Sequence, residues 1–174
     1  MKHSPPSKPR ILVVDDLPSI HEDFRQILHA VERDPLAGIE ADLFGDSLEP
    51  EPAEPERMQF ELESAYQGQE ALARVKDALH QGEPFSVAFV DMRMPPGWNG
   101  LETIEQSWRV DPELPMVICT AFSDFSWEEI VERLGRPDRL LFLRKPFEAH
   151  QVRELAASLA ARTQERRSRG LGAA

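Results

Sequence analysis

Short apolar runs that stop abruptly at a polar residue are the feature that most constrains how this chain folds. Residues 11–14 read Ile-Leu-Val-Val and stop at Asp15, and residues 85–90 are largely apolar and stop at Asp91. Two further runs cover 116–119 and 140–143. Short runs of this kind, rich in β-branched residues and without polar alternation, are typical of strands buried on both faces of a parallel sheet.

Segments with helical periodicity separate the apolar runs. Pro18 begins such a segment, in which apolar residues recur at helical spacing, and comparable segments follow each later run. An alternating segment at 60–65 predicts one more strand, on the outside of the sheet. Five strands and five helices in strict alternation predict an α/β fold in which helices cover both faces of a parallel sheet.

Residues 34–57 interrupt this alternation with four prolines among interleaved glutamates. Such a segment buries too little apolar surface to offset its ordering entropy, so we interpret it as an acidic, solvated insertion. The chain is then predicted to have a flexible leader at 1–9, one domain at 10–162 and a C-terminal tail or linker at 163–174. Arginines near the C-terminus are interpreted as helix-end charge rather than a nucleic-acid site; they are Arg162, Arg166, Arg167 and Arg169.

Composition excludes several classes of site. The chain of 174 residues has a formal net charge of −11, which argues against direct binding of nucleic acid or of anionic membranes. Its single cysteine, Cys119, excludes an internal disulfide framework, and its apolar surroundings predict a buried thiol. No apolar stretch approaches the roughly 18 residues of a membrane helix. The histidines lack metal-ligand spacing and are expected at the surface or on helix faces, and we predict a cytoplasmic protein.

Polar residues end four of the predicted strands, and strand ends of a parallel sheet meet at one edge. These residues are Asp15 and Asp16, then Asp91, Thr120 and Lys145. Crowded carboxylates repel one another unless a cation offsets them, and Mg²⁺ favours such oxygen ligands together with a phosphate. An aspartate can form a covalent phosphoryl intermediate, and Lys145 could pair with phosphoryl oxygens. Asp15-Asp16 alone would also suit a helix N-cap and turn.

Four segments in this order resemble the receiver domain of two-component response regulators. They are Ile-Leu-Val-Val-Asp-Asp at 11–16, Val-Asp-Met-Arg-Met-Pro at 90–95, Thr120-Ala121 and Lys145-Pro146. The resemblance covers about residues 10–160, apart from the insertion. It implies a flavodoxin-like fold, with a five-stranded parallel sheet in the order 2-1-3-4-5 and helices on both faces.

The resemblance also implies roles for the residues at the strand ends. Asp91 corresponds to the phosphorylated residue, and Lys145 and Thr120 assist there. Mg²⁺ or Mn²⁺ would be held by Asp16, by Asp91 and by the backbone carbonyl of Arg93. Asp15 belongs to the same metal site and would act partly through water.

A switch and a set of partners follow from the same resemblance. Thr120 resembles the switch hydroxyl and Phe142 the switch aromatic, and the Lys145-Pro146 bond is expected to be cis. The phosphoryl donor would be a histidine kinase or a histidine phosphotransfer protein. Output would pass to a downstream protein or to an attached domain, and a homodimer is among the expected assemblies. A receiver domain is not an enzyme with turnover; it catalyses only its own phosphorylation and dephosphorylation.

Two local features depart from the family pattern. The loop after Asp91 is one residue longer than usual, since Gly100 follows nine positions later. Arg93 and Phe122, each two residues after a site residue, are bulky. Our hypothesis is that they shield the phosphorylated Asp91 from water.

Two other functions compete with a phosphorylation switch. One is a receiver-like scaffold that binds partners and is never phosphorylated; the complete set of strand-end residues argues against it. The other is a haloacid-dehalogenase-like phosphohydrolase, which uses a nucleophilic aspartate after a strand. That chemistry requires a second acid two residues after the nucleophile, and here Arg93 occupies the place.

Overall fold

The computed structural model describes residues 8–29, 59–121 and 126–171. Its strands are β1 (Arg10–Val14), β2 (Glu61–Ala65), β3 (Val87–Asp91), β4 (Met116–Thr120) and β5 (Leu140–Arg144). Its α-helices are α1 (Pro18–His29), α2 (Gly68–His80), α3 (Gly100–Val110), α4 (Trp127–Leu134) and α5 (Ala149–Leu171). Strands and helices alternate along the chain, as predicted, with one short 3-10 turn at Pro137–Arg139 before β5.

The five strands form one sheet in the order β2-β1-β3-β4-β5, and each neighbouring pair is parallel. This confirms the flavodoxin-like fold and its strand order. In the sheet register, Val14 lies between Ala65 and Val90, and Asp91 lies beside Cys119. The neighbouring strands β1 and β3 therefore end at the same edge of the sheet.

Two apolar layers cover the sheet, one on each face. Alternate residues of β1 point to opposite faces, so Leu12 and Val14 pack in one layer while Ile11 and Val13 pack in the other. Helices α2, α3 and α4 contribute to the first layer, and α1 and α5 contribute to the second. All of β1 is buried as a result, which is why its sequence shows no polar alternation.

Strand β5 is less buried than its sequence predicts. Leu140 and Leu143 are buried, but Leu141 and Phe142 are 39% and 38% exposed. β5 has only β4 as a neighbour and lies at the edge of the sheet, so the helices do not cover all of its side chains. The prediction of a fully buried strand, which was based on this apolar run, is therefore wrong.

The sequence predicted a C-terminal tail or linker from residue 163, but helix α5 continues through Leu171. Thr163 is buried, and its Oγ1 lies 3.0 Å from the carbonyl oxygen of Ser86. Arg167 Nη2 donates to Asp111 Oδ2 at 2.9 Å, and Asp111 is buried. These contacts attach the end of the helix to the body of the domain, so these residues pack as part of it.

Other predictions fall partly or wholly on residues outside the described ranges. The insertion at 34–57 lies entirely outside them, and so does Phe122. The predicted leader is described only at its end, where Pro9 is buried and its carbonyl accepts a hydrogen bond from Glu61 N at 2.9 Å. Pro9 therefore belongs to the packed structure rather than to a leader.

Candidate metal centre at the carboxyl edge of the sheet

Three carboxylates meet where β1 and β3 end. Asp15 and Asp16 follow β1 directly, and Asp91 is the last residue of β3. One oxygen of each lies within 4.8 Å of the others. Asp15 is buried and the other two are half-buried, so the group is open to solvent on one side. The structure thus brings together the three acids that the sequence placed at one sheet edge.

Lys145 joins this group from the loop after β5. Its Nζ lies 2.9 Å from Asp15 Oδ2 and 3.2 Å from Asp91 Oδ1. The backbone N–H of Lys145 donates to the carbonyl of Thr120 at 2.8 Å, which ties this loop to the end of β4. The Lys145-Pro146 peptide bond is cis, as expected.

The electrostatics of the group favour an added cation. Burial raises the pKa of Asp91, the nearby Asp15 carboxylate raises it further, and Lys145 opposes both effects only in part. For Lys145, burial lowers the pKa, but its hydrogen bond to Asp15 and the charges of Asp15 and Asp91 outweigh burial and raise it. Three carboxylates and one ammonium leave two formal negative charges (3 − 1 = 2), which one divalent cation would balance. Carboxylate oxygens are also the donors that Mg²⁺ prefers, so the residues fit such an ion.

Gly100 allows the first turn of α3 to approach the backbone of Asp91. A β-carbon at Gly100 would lie 2.6 Å from the carbonyl oxygen of Asp91 and 3.0 Å from Met92 Cα. The N–H of Gly100 donates to the carbonyl of Met92 at 3.0 Å. Asn99 caps α3, with its side chain accepting from Glu102 N. The loop after Asp91 is therefore closed by a contact that only glycine permits without displacement.

The remaining predicted site residues lie at the end of β4, in the loop after β3 and on β5. Thr120 ends β4 and is half-buried, one position beyond the residue paired with Asp91. Arg93 is exposed, two residues after Asp91. Phe142 lies on β5, and its ring packs edge-on against the ring of Trp127 at a centroid distance of 5.2 Å.

Cys119 and His21 are buried next to this edge. Burial raises the pKa of the Cys119 thiol above its ordinary value, which agrees with the predicted inert, buried cysteine. His21 was expected on the surface or on a helix face; it lies on the buried face of α1 and is 0% exposed. Its spacing from Phe24 and Leu28, three and seven residues later, is the sequence signal that could have placed it on that apolar face.

The response regulator receiver domain family matches residues 54–157. This chain belongs to the response regulator receiver domain family. The matched residues include β2 to β5, Asp91 and Lys145, whereas β1 and the Asp15-Asp16 pair precede them. The structure places β1 between β2 and β3, which completes the receiver fold. A phosphoacceptor role in two-component signalling is consistent with membership of this family.

Curated relatives and solved structures are similar to this receiver domain. The transcriptional regulatory protein ZraR of Salmonella typhimurium is 31% identical over 106 residues, which are 61% of this chain and 22% of ZraR. The chain thus spans about a fifth of the length of that relative. A CheY-like receiver domain protein from Methanospirillum hungatei has a TM-score of 0.63 at 22% identity, covering 92% of this chain and 99% of its own. A structure described as adenylate cyclase from Rhodopirellula baltica has a TM-score of 0.66 at 24% identity, covering 94% and 95%.

None of the helices within the described ranges has the length and apolar character needed to cross a bilayer.

Proposed function

We propose that Asp91 accepts a phosphoryl group and that this receiver domain works as a phosphorylation-controlled switch. The observation that carries the proposal is the meeting of Asp15, Asp16 and Asp91 with the Lys145 ammonium at one edge of the sheet. An ion pair that served stability alone would not need three carboxylates within 4.8 Å of one another. Burial and, after it, the neighbouring Asp15 carboxylate raise the pKa of Asp91, and a bound cation would offset this cost of ionising Asp91.

The proposed reaction is a transfer from a phosphohistidine of a histidine kinase or of a histidine phosphotransfer protein. A carboxylate oxygen of Asp91 forms a bond to phosphorus while the phosphorus–nitrogen bond to the donor imidazole breaks. The electron pair of that bond returns to the imidazole nitrogen. Lys145, already 3.2 Å from Asp91 Oδ1, is placed to pair with a phosphoryl oxygen, and the Thr120 hydroxyl supplies a further hydrogen bond.

Asp16 and Asp91 would hold the divalent cation through their side chains, and Arg93 would hold it through its backbone carbonyl. Asp15 would act beside them, partly through water, while it binds Lys145. Mg²⁺ or Mn²⁺ would neutralise negative charge on the phosphoryl oxygens during transfer.

The output of the proposed switch is a change in protein interaction. The added charge would reposition Thr120 and Phe142, and the face made by α4, β5 and α5 would then change its affinity for a downstream protein or an attached output domain. Phe142 and Trp127 are 38% and 43% exposed on that face, which supports a contact surface there. A homodimer through the same face is a further expected assembly, and neither nucleic acid nor membrane is a direct partner.

We propose a signalling domain rather than an enzyme with turnover. Its only chemistry would be its own phosphorylation and the hydrolysis of the aspartyl phosphate, within the cytoplasm. Arg93 and Phe122 are proposed to slow that hydrolysis by shielding Asp91. We place the domain from Pro9 through α5, with the acidic segment 34–57 as an insertion between α1 and β2.

Acetyl phosphate with Mg²⁺ tests the proposal, with intact mass as the measurement. The wild-type protein should gain the mass of one phosphoryl group, and Asp91→Asn should gain none. Asp138→Asn is the matched control, because Asp138 is 71% exposed and lies in the turn before β5 rather than at the site. It should form the adduct at the wild-type rate.

Two outcomes would favour the competing functions. A folded wild-type protein that forms no adduct, even from a phosphohistidine donor, would favour a receiver-like scaffold. Repeated turnover of small phosphate esters, lost in Asp91→Asn, would favour a phosphohydrolase.

A further inference from the structure

Within the part of the chain that the structure describes, the His21 side chain makes one hydrogen bond, which is buried and goes to the backbone of the candidate metal site. The side chain is 0% exposed, and its Nε2 lies 2.7 Å from the carbonyl oxygen of Asp15. A carbonyl only accepts, so Nε2 carries the hydrogen and donates it. The other ring nitrogen, Nδ1, is buried without a hydrogen-bond partner among the described residues.

Neighbouring groups hold the imidazole in this position. The ring of Tyr66 packs against it at a centroid distance of 4.4 Å and covers it at the surface. Tyr66 is itself held, because its backbone N–H donates to Glu70 Oε2 at 2.8 Å. An apolar side chain could fill the same space without burying an unpartnered nitrogen, so packing alone does not explain a histidine here.

Every polar atom of Asp15 takes part in a hydrogen bond, and His21 supplies one of these hydrogen bonds. Leu17 N donates to Oδ1 at 2.9 Å, Lys145 Nζ donates to Oδ2 at 2.9 Å, and Asp15 N donates to the carbonyl of Ala65 at 3.1 Å. His21 binds the last of them, the carbonyl oxygen. That carbonyl shares one planar peptide unit with the N–H of Asp16. Fixing its direction therefore fixes the orientation in which the chain enters Asp16.

We propose that His21 is a positioning residue of the metal site: by donating Nε2–H to the Asp15 carbonyl, it orients the Asp15-Asp16 peptide and so raises the affinity for Mg²⁺. The inference rests on the proposed function, in which Asp16 binds the ion. The His21 imidazole would act on the peptide unit that joins Asp15 to Asp16, whereas the carboxylates would act on the ion.

A pair of substitutions separates donation from packing. His21→Gln keeps an N–H donor at a similar distance from the backbone, whereas His21→Met has a similar length and volume but no donor. Mg²⁺ affinity is measured for the full chain by isothermal titration calorimetry, well below the melting temperature of each variant. His80→Met is the control, since His80 is exposed on α2 and its ring forms a hydrogen bond within its own helix, with the carbonyl of Lys76.

Supporting partners of metal ligands typically change metal affinity by about 10- to 100-fold, so His21→Met should weaken Mg²⁺ binding about tenfold. His21→Gln should recover most of the wild-type affinity, and His80→Met should match the wild type. Without metal, amide hydrogen exchange at Leu17 should be faster in His21→Met than in His21→Gln, since the turn that holds Asp15 is loosened. A role in stability alone would lower melting temperatures without separating the two variants in Mg²⁺ affinity.

Equal Mg²⁺ affinity in the wild type and in His21→Met would overturn the role of His21 and leave the proposed function standing. A folded wild-type protein that binds no Mg²⁺ would overturn both. If His21→Met does not fold, His21→Phe replaces it, because the ring keeps the packing against Tyr66 and lacks the donor.

Discussion

Replacing Gly100 by alanine is expected to lower both the stability of the domain and its rate of phosphorylation. The new β-carbon would lie 2.6 Å from the carbonyl oxygen of Asp91 and 3.0 Å from Met92 Cα. Both neighbours are backbone atoms, which cannot rotate away as a side chain can. Reaching even a 3.0 Å separation from the oxygen requires a shift of at least 0.4 Å (3.0 − 2.6), and this strains the hydrogen bond from Gly100 N to Met92 O.

The size of the stability loss follows from two opposing effects. Overpacking costs about 1–3 kcal/mol. Alanine regains up to about 1 kcal/mol over glycine inside a helix, and less at a first helical position such as this one. A net loss of about 1–2 kcal/mol corresponds to a melting temperature lower by roughly 2–8 °C for a domain of this size.

The same shift acts on the phosphoacceptor, because the carbonyl that must move belongs to Asp91. Small misplacements of a reacting group can cost up to about 100-fold in rate, so phosphorylation by acetyl phosphate should slow on the order of tenfold. Thermal unfolding and a time course of intact mass measure the two effects on the same samples.

Gly170 provides the matched control, since it is a helical glycine whose added β-carbon would meet no heavy atom of the described residues within 4 Å, apart from its chain neighbours and its own helix backbone. Gly170→Ala should leave phosphorylation unchanged and stabilise the domain by at most about 1 kcal/mol. If Gly100→Ala melts as high as Gly170→Ala and is phosphorylated at the same rate, the close approach of Gly100 to the Asp91 backbone matters for neither stability nor phosphorylation.

Two further predictions concern charged groups. In metal-free protein, Asp91→Asn should raise the melting temperature at neutral pH. Burial and the Asp15 carboxylate raise the pKa of Asp91 in the folded protein. The wild type therefore loses stability as the pH rises from the ordinary aspartate pKa through this raised pKa. The difference should vanish below that ordinary pKa, and a variant no more stable than the wild type at neutral pH would contradict this. Arg167→Ala should lower the free energy of unfolding, measured in urea, by about 3 kcal/mol, because it removes the cation that pairs with the buried Asp111 carboxylate. Adding Asp111→Ala should restore most of that loss; an Arg167→Ala variant as stable as the wild type would mean that residues past 162 contribute little.

Most of the fold was predictable because its signals are local. The apolar run at 11–14 and the helical spacing after Pro18 each depend on neighbours a few residues away, and both elements are present. The apolar run at 140–143 misled for the same reason: its residues resemble those of a central strand, but the strand lies at the edge of the sheet. Exposure of Phe142 follows from that position, which no local pattern encodes.

Contacts around the site were predictable only in part. The acids at the ends of β1 and β3, and Lys145 after β5, were placed at one edge by the general rule for parallel strands. The role of His21 depends on how α1 packs back against the end of β1, which sets the 2.7 Å distance to the Asp15 carbonyl. Arg167 was interpreted as helix-end charge because its partner, Asp111, lies far away in the chain and has no local pattern that relates it to α5.

The sequence by itself determined which residues end each strand, and therefore which chemical groups are available at the carboxyl edge of the sheet. It could do so because strand and helix periodicity are short-range properties of the chain. Only the tertiary structure decided how these groups meet: Lys145 between two aspartates, Gly100 against the backbone of Asp91, and His21 on the carbonyl of Asp15. Each of these contacts joins separate elements, and its distance is set by packing across the whole domain.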